Sequence, residues 1–254
     1  MAKVKEETAL ATRPTENALA VADGYDRKDT RGKEGIGSGD VTLPFIALVQ
    51  KTSKQLEPGE AKFIEGAKFL DLFNSLTNEL YGAGPVEFIP LVLKKHAIEF
   101  NPFNEGGGIK DRIVDWDDAR CQFHGEEKPS ATRFYDWAVL LIRPSGELEL
   151  VVLSFKSTNI GVAKQFQQLV NLRPGPAFSG KYTVKSATGK NNFGTFAKFA
   201  ISPAGKPTAE QATYAEEIYT NLQGVNIVVN HVADPVDVGG ATEGQTVFDP
   251  DIPF

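Results

Sequence analysis

Apolar positions along this chain fall mostly in short runs separated by Gly, Pro, Asn and Ser, the pattern of a β-rich protein. VEFIPLVLKKHAIEF (86–100) predicts one long strand. RFYDWAVLLIR (133–143) and ELELVVLSFK (147–156) predict a hairpin turning at Pro144, Ser145 and Gly146. A second hairpin is expected from KYTVKSAT (181–188) and FGTFAKFAIS (193–202), around Gly189, Lys190, Asn191 and Asn192. Between the hairpins, Val162, Phe166, Leu169 and Val170 share one helical face and predict a helix over 159–172. Ser157 or Thr158 would cap it, and Pro174, Gly175 and Pro176 would stop it. A further helix is expected over 208–222 and a strand over 225–232. Upstream, order should begin near Val41 with VTLPFIALVQ. In 62–81, Phe69, Leu72, Phe73, Leu76 and Leu80 fit a helical stripe, but NSLTNE also reads as a hairpin turn, and the hairpin is preferred. A long loop holding Gly106, Gly107 and Gly108 follows the 86–100 strand.

The order three strands, helix, two strands is that of the five-stranded oligonucleotide-binding barrel, whose loops 1–2 and 4–5 line its groove. The expected fold is therefore mainly β (α+β): an OB-fold-like barrel with N-terminal strand or hairpin additions, one inserted helix, a C-terminal helix and disordered tails. Residues 1–40, mixed in charge and broken by glycines, read as a disordered arm. Residues 41–232 read as the folded domain and 233–254 as a flexible acidic tail.

With 41% apolar residues in 254, the chain can bury a sizeable core. It has no apolar run long enough for a membrane helix and no visible secretory signal. One cysteine, Cys121, excludes an internal disulfide framework and fits a reducing cytoplasm. The net charge of −6 argues against a polyanionic ligand until its distribution is considered. Between Val151 and Ala209 stand eight basic residues and no Asp or Glu, whereas residues 233–254 carry five acidic residues and no basic one. A local field of one sign matters more to polyanion binding than net charge.

Binding a single strand needs cations along the phosphates and flat side chains against the bases. The basic block supplies Lys156, Lys164, Arg173, Lys181, Lys185, Lys190, Lys198 and Lys206, interleaved with Phe155, Phe166, Phe178, Tyr182, Phe193, Phe196 and Phe199. Strand alternation puts Lys181 and Lys185 on one face and Tyr182 and Val184 on the other. It likewise puts Phe196 with Lys198, and Phe199 with Ile201. Phe196 is therefore assigned to stacking, Phe199 to the core, and Phe193 to either. The candidate DNA-binding set is Trp137, Lys156, Lys164, Arg173, Lys181, Tyr182, Lys185, Lys190, Phe193, Phe196 and Lys198, on a groove built from strands 133–143, 181–188 and 193–202. Trp116, on the long loop, is a further stacking candidate.

The chain closes on Val247-Phe248-Asp249-Pro250-Asp251-Ile252-Pro253-Phe254. A terminal Phe offers a ring for an apolar pocket and a carboxylate for an Arg or Lys clamp, while Asp249 and Asp251 steer towards a basic rim. This ending resembles the tip of bacterial single-stranded DNA-binding proteins, an acidic run followed by Asp-Ile-Pro-Phe; Pro250 departs from it by replacing an acidic residue. The whole chain resembles divergent single-strand-binding proteins of bacteriophages. The resemblance implies protection of single strands in replication, recombination and repair, in the bacterial host cytoplasm. It also implies that Asp249, Asp251, Ile252, Pro253 and Phe254 recruit replication, recombination or repair proteins through a basic-rimmed apolar pocket. No cofactor or membrane is expected; a homo-oligomer is compatible with the sequence.

Enzyme signals are weak. Asp111, Asp115, Asp117 and Asp118 cluster around Trp116, but such runs are more often solvated loop faces. Asp136, Glu147 and Glu149 invite a nuclease reading, yet Val151 stands where the usual Lys would follow Glu149. Cys121 and His124 have zinc-like spacing without a second ligand pair. The expectation is a non-enzymatic binding protein, against three rivals: a strand-annealing recombination protein, a metal-dependent nuclease and a pure interaction adaptor.

Overall fold

The computed structural model describes residues 43–102, 107–125, 129–191 and 194–223. The chain divides into the units Met1–Gly37 and Ser38–Phe254, and all described residues fall in the second. The expected N-terminal arm, the strand at 225–232 and the acidic tail lie outside them.

Chain order runs β1 (Phe45–Leu48), β2 (Leu72–Asn74), β3 (Leu80–Gly82), β4 (Val86–Phe100), β5 (Ile109–Ile113), β6 (Ala131–Ile142), β7 (Leu148–Lys156), α1 (Ile160–Asn171), β8 (Lys181–Asn191), β9 (Gly194–Gly205) and α2 (Ala209–Leu222). Among the described residues these strands join one mainly β, strongly curled, half-barrel sheet. Its order is β3-β2-β1-β7-β6-β4-β8-β9, with β5 added to β4.

Strand β4 is the spine. Its first residues pair antiparallel with β8 (Phe88 opposite Tyr182), and its whole length pairs with β6. A register shift falls between Pro90 and Val92, where proline has no N–H to give a ladder. The β6–β7 and β8–β9 hairpins stand where the alternation puts them, although β8 and β9 run beyond the expected turn, with Gly189, Lys190 and Asn191 inside β8. The segment 62–81 resolves as the preferred hairpin, Leu72 opposite Gly82.

Alternation also explains the apolar run of β6. Its odd residues, Tyr135, Trp137, Val139 and Leu141, join Val151, Leu153 and Phe155 of β7 in the main core. Its even residues Ala138 and Leu140 lie on the other face, against the flank of β1 and against Ala215 of α2 respectively. A strand buried on both faces reads as continuously apolar. Helix α1 closes the inner face with Ala163 and Phe166; the Phe166 ring meets Phe88, Trp137 and Tyr182 within 5.5 Å. Helix α2 begins with a capping box, the Thr208 hydroxyl accepting from Gln211 N.

Three expectations are corrected. The α1 N-cap is Asn159, not Ser157 or Thr158, and its side chain makes no cap bond; its Oδ1 accepts instead from Phe199 N at 2.9 Å. Second, the long loop contains strand β5 and a 3-10 turn at Ala119–Cys121. Third, β6 and β8 are not neighbours, because β4 stands between them. The sheet's far margin is joined in an unforeseen way. Strand β1 runs parallel to β7 (Ile46 opposite Leu153), and just beyond it the Gln50 carboxamide reaches β9. Gln50 Nε2 donates to Ala197 O at 2.9 Å and Gln50 Oε1 accepts from Ala197 N at 2.8 Å.

Candidate nucleic-acid interface

The β8–β9 ladder sorts the basic block into two faces. Tyr182, Val184, Ala197 and Phe199 point to the core and are buried. On the outer face, Lys185 stands opposite Ala200, Ala187 opposite Lys198, and Gly189 opposite Phe196. Lys185 and Lys198 are thus diagonal neighbours across the ladder, within reach of one another's ligand. Lys185 is exposed, Lys198 and Phe196 half-buried. The other side chains on this face are Thr183, Ala187, Ala200 and Ser202, too small to obstruct a bound chain.

The far end of the Phe196 ring lies over Gly189. A Cβ added at Gly189 would come within 2.4 Å of Phe196 Cζ, closer than any real carbon contact. Glycine here therefore makes room for the ring against the neighbouring strand. The bounding carboxylate is Glu87 of β4, which accepts a 2.9 Å ion pair from Lys181. Lys181 shares the outer face but is held by that pair.

The other predicted residues are dispersed. Lys190 is exposed, opposite Thr195 near the hairpin end, on the alternate face from Lys185 and Lys198. Lys164 and Lys206 are exposed, on α1 and after β9. Arg173 is tied to the fold: it donates to Gly205 O at 2.8 Å, and its guanidinium lies 5.4 Å from the Tyr182 ring centroid. Lys156 ends β7, with its ammonium 5.8 Å from the Phe134 ring centroid.

Two rings leave the binding set. Trp137 is 5% exposed and packs on Phe166; Tyr182 is 1% exposed, its hydroxyl donating to Leu169 O at 3.4 Å. A ring enclosed by protein has no face for a base, so both are core residues. Phe155 and Phe166 are likewise in the core, with Phe199 as expected. Phe178 packs on Tyr219 of α2. Phe193 and the tip residues Asp249, Asp251, Ile252, Pro253 and Phe254 lie outside the described residues.

The carboxylates suspected of metal chemistry are separated or engaged. Asp136 stands opposite Ser154, whereas Glu149 stands opposite Leu141; the opposite parity puts the two carboxylates on opposite sheet faces. Buried Glu149 accepts from Arg143, from Asn74 Nδ2 at 2.9 Å and from the Tyr81 hydroxyl at 3.5 Å. Burial, with the Glu149 charge second, pushes the Tyr81 hydroxyl up to about 12. Arg120 binds Glu99, Asp111 and Asp118 at 2.7–3.1 Å. Those bonds hold Asp118 down to about 2. Among the described residues no group of three His, Cys, Asp or Glu could hold a metal ion. Cys121 packs with Ala97, Ile113 and Ala131, and burial raises its thiol pKa. His124 Nε2 is 3.1 Å from Ala119 O. No helix among the described residues is long and apolar enough to cross a membrane.

Sequence reading missed the Arg120 cage and the Gln50 bridge, since neither residue carries a local motif. Comparison with curated proteins and with solved structures gave no match. A family model does match, over residues 12–227, which includes every described residue. The chain belongs to the Pam3 phage gp34-like protein family.

Proposed function

We propose that this phage-type protein binds single-stranded DNA on the outer β8–β9 face, protects it, and recruits host or phage replication, recombination or repair proteins through its C-terminal tip. The observation that carries the proposal is the grouping of Lys185, Lys198 and Phe196 on one face, among small side chains and bounded by the Lys181–Glu87 pair. The ring offers a stacking surface worth about 1–3 kcal/mol per base, and the two ammonium groups suit flanking phosphates. The order β4-β6-β7, α1, β8-β9, with β4 pairing to β8, supports an OB-type barrel in which the β8–β9 hairpin serves as loop 4–5. The family's phage character fits the sequence resemblance to phage single-strand-binding proteins. Separation of Asp136 from Glu149 weighs against the nuclease alternative.

The test is a titration of fluorescently labelled single strands at two salt concentrations, with and without Mg²⁺. Tight, salt-sensitive binding without cleavage is expected. Cleavage only with Mg²⁺ would replace the proposal with a nuclease, and absence of binding at any oligonucleotide length would leave an adaptor. Acceleration of complementary-strand pairing would identify an annealing protein.

A further inference from the structure

We propose that Trp116, between β5 and β6, forms a second nucleobase-binding site, in which the indole stacks on a base, Arg133 backs the indole and Lys95 holds an adjoining phosphate. The inference rests on the proposed single-strand binding and extends it to a different part of the molecule.

Two features mark this segment. It displays large apolar side chains to solvent: Val114 is 85% exposed, Phe123 56% exposed, and Trp116 half-buried. All three fall within ten residues of chain, 114–123. The second feature is a ladder of rings and cations. The Trp116 ring meets Tyr135 edge-on, with centroids 4.7 Å apart. The Arg133 guanidinium lies 5.1 Å from the Trp116 centroid and donates to Trp116 O at 3.3 Å. The Lys95 ammonium lies 5.6 Å from the Tyr135 centroid. Tyr135 is buried and supports the indole rather than meeting ligand. Lys95 is exposed and Arg133 half-buried.

The turn around Trp116 is also held in shape before any ligand arrives. Arg120 ties Glu99 of β4, Asp111 of β5 and Asp118 together, and Asp117 N donates to Asp115 Oδ1 at 2.9 Å, so the turn bearing Trp116 is anchored on both sides. A stacking ring fixed in advance loses little conformational freedom on binding. Exposed Asp115 and Asp117 oppose phosphate, so the site favours bases over bare polyanion, and its gain comes chiefly from the stack.

The chain has two tryptophans, one sealed at Trp137 and one half-exposed at Trp116, so indole emission separates them. The experiment titrates the full chain with an unlabelled thymidine homopolymer, in parallel with the labelled-strand assay. Emission should be quenched on binding, and Trp116→Phe should abolish the quench while retaining affinity. Trp116→Ala should lower affinity about tenfold. Lys95→Ala should weaken binding and reduce the salt slope by about one. Unchanged far-ultraviolet dichroism of each variant keeps misfolding apart from loss of contact. Strands that bind with no change in wild-type emission, or with equal affinity for Trp116→Ala, would overturn this site and leave the β8–β9 interface standing. Failure of the labelled strand to bind would instead remove the parent proposal together with this one.

Discussion

Glycine at position 189 decides what Phe196 can do. The far end of the ring lies over bare backbone, and any side chain there must push it away. Gly189→Ala should therefore leave the thermal transition nearly in place, because a half-buried ring can swing outward, but reduce single-strand affinity several-fold by tilting the stacking surface. Fluorescence anisotropy of a labelled oligonucleotide measures it, with Phe196→Ala as the reference for complete loss. The period-two pattern was enough to put Phe199 inside and Phe196 outside. It also set Tyr182 apart from Lys181 and Lys185, yet Tyr182 entered the expected binding set with Trp137 because composition alone does not say what an inward face meets. Only α1 packing across the sheet closes both rings off.

Residue-level electrostatics also give the Arg120 cage a pH signature. The Arg120 bonds hold Asp118 well below its usual carboxylate range and lower Asp111, whereas Glu99 is lowered first by its bond from Lys110 and then by Arg120. Depressed folded-state values mean that the stabilisation is present above the unfolded value near 3.8 and is lost as pH falls towards about 2. Trp116 emission should accordingly hold steady from neutral pH to about 4 and change below it, ahead of or together with global unfolding followed by far-ultraviolet dichroism. An indole signal that shifts between pH 5 and 7 would contradict the cage.

Among elements, the short β2–β3 hairpin depends on buried charge. Arg143, at the end of β6, bridges Glu79 beside β3 and Glu149 of β7, and Asn74 of β2 donates to the same Glu149. Removing one partner strands a buried carboxylate, so Arg143→Ala should cost about 3–5 kcal/mol, read from the urea midpoint. A cost below about 1 kcal/mol would mean that water reaches the pair. None of this was readable from the chain: Arg143, Glu79 and Asn74 are ordinary polar residues until the fold gathers them. Strand β5 escaped notice because IKDRI is apolar only at its ends and exposes its middle. By contrast, β4, the β6–β7 hairpin, α1 and α2 were legible, since each carries a long period and clear stop signals.

For the molecule as a whole, opposite charges occupy separate stretches of chain: the cationic 151–209 block and the acidic final residues. Lys185→Ala and Lys198→Ala should each lower the slope of log affinity against log salt by about one, whereas Lys181→Ala, already paired to Glu87, should change it less. Deleting Asp249–Phe254 should spare or strengthen DNA binding and abolish capture of a tip-binding partner, both measurable by surface plasmon resonance. The sequence order suggested a barrel but gave no hint of its margin, because β1 is far upstream and Gln50 has no pattern of its own.

At that margin one side chain bonds both polar groups of Ala197. A carboxamide gives and receives at once, so it imitates a strand's peptide group where no strand is present. Gln50→Glu preserves volume and still receives the Ala197 amide, but it sets two oxygens face to face at the Ala197 carbonyl. The exchange of one NH₂ for O should loosen the edge by about 1–3 kcal/mol, and deuterium uptake along 194–200 should rise before any other strand responds.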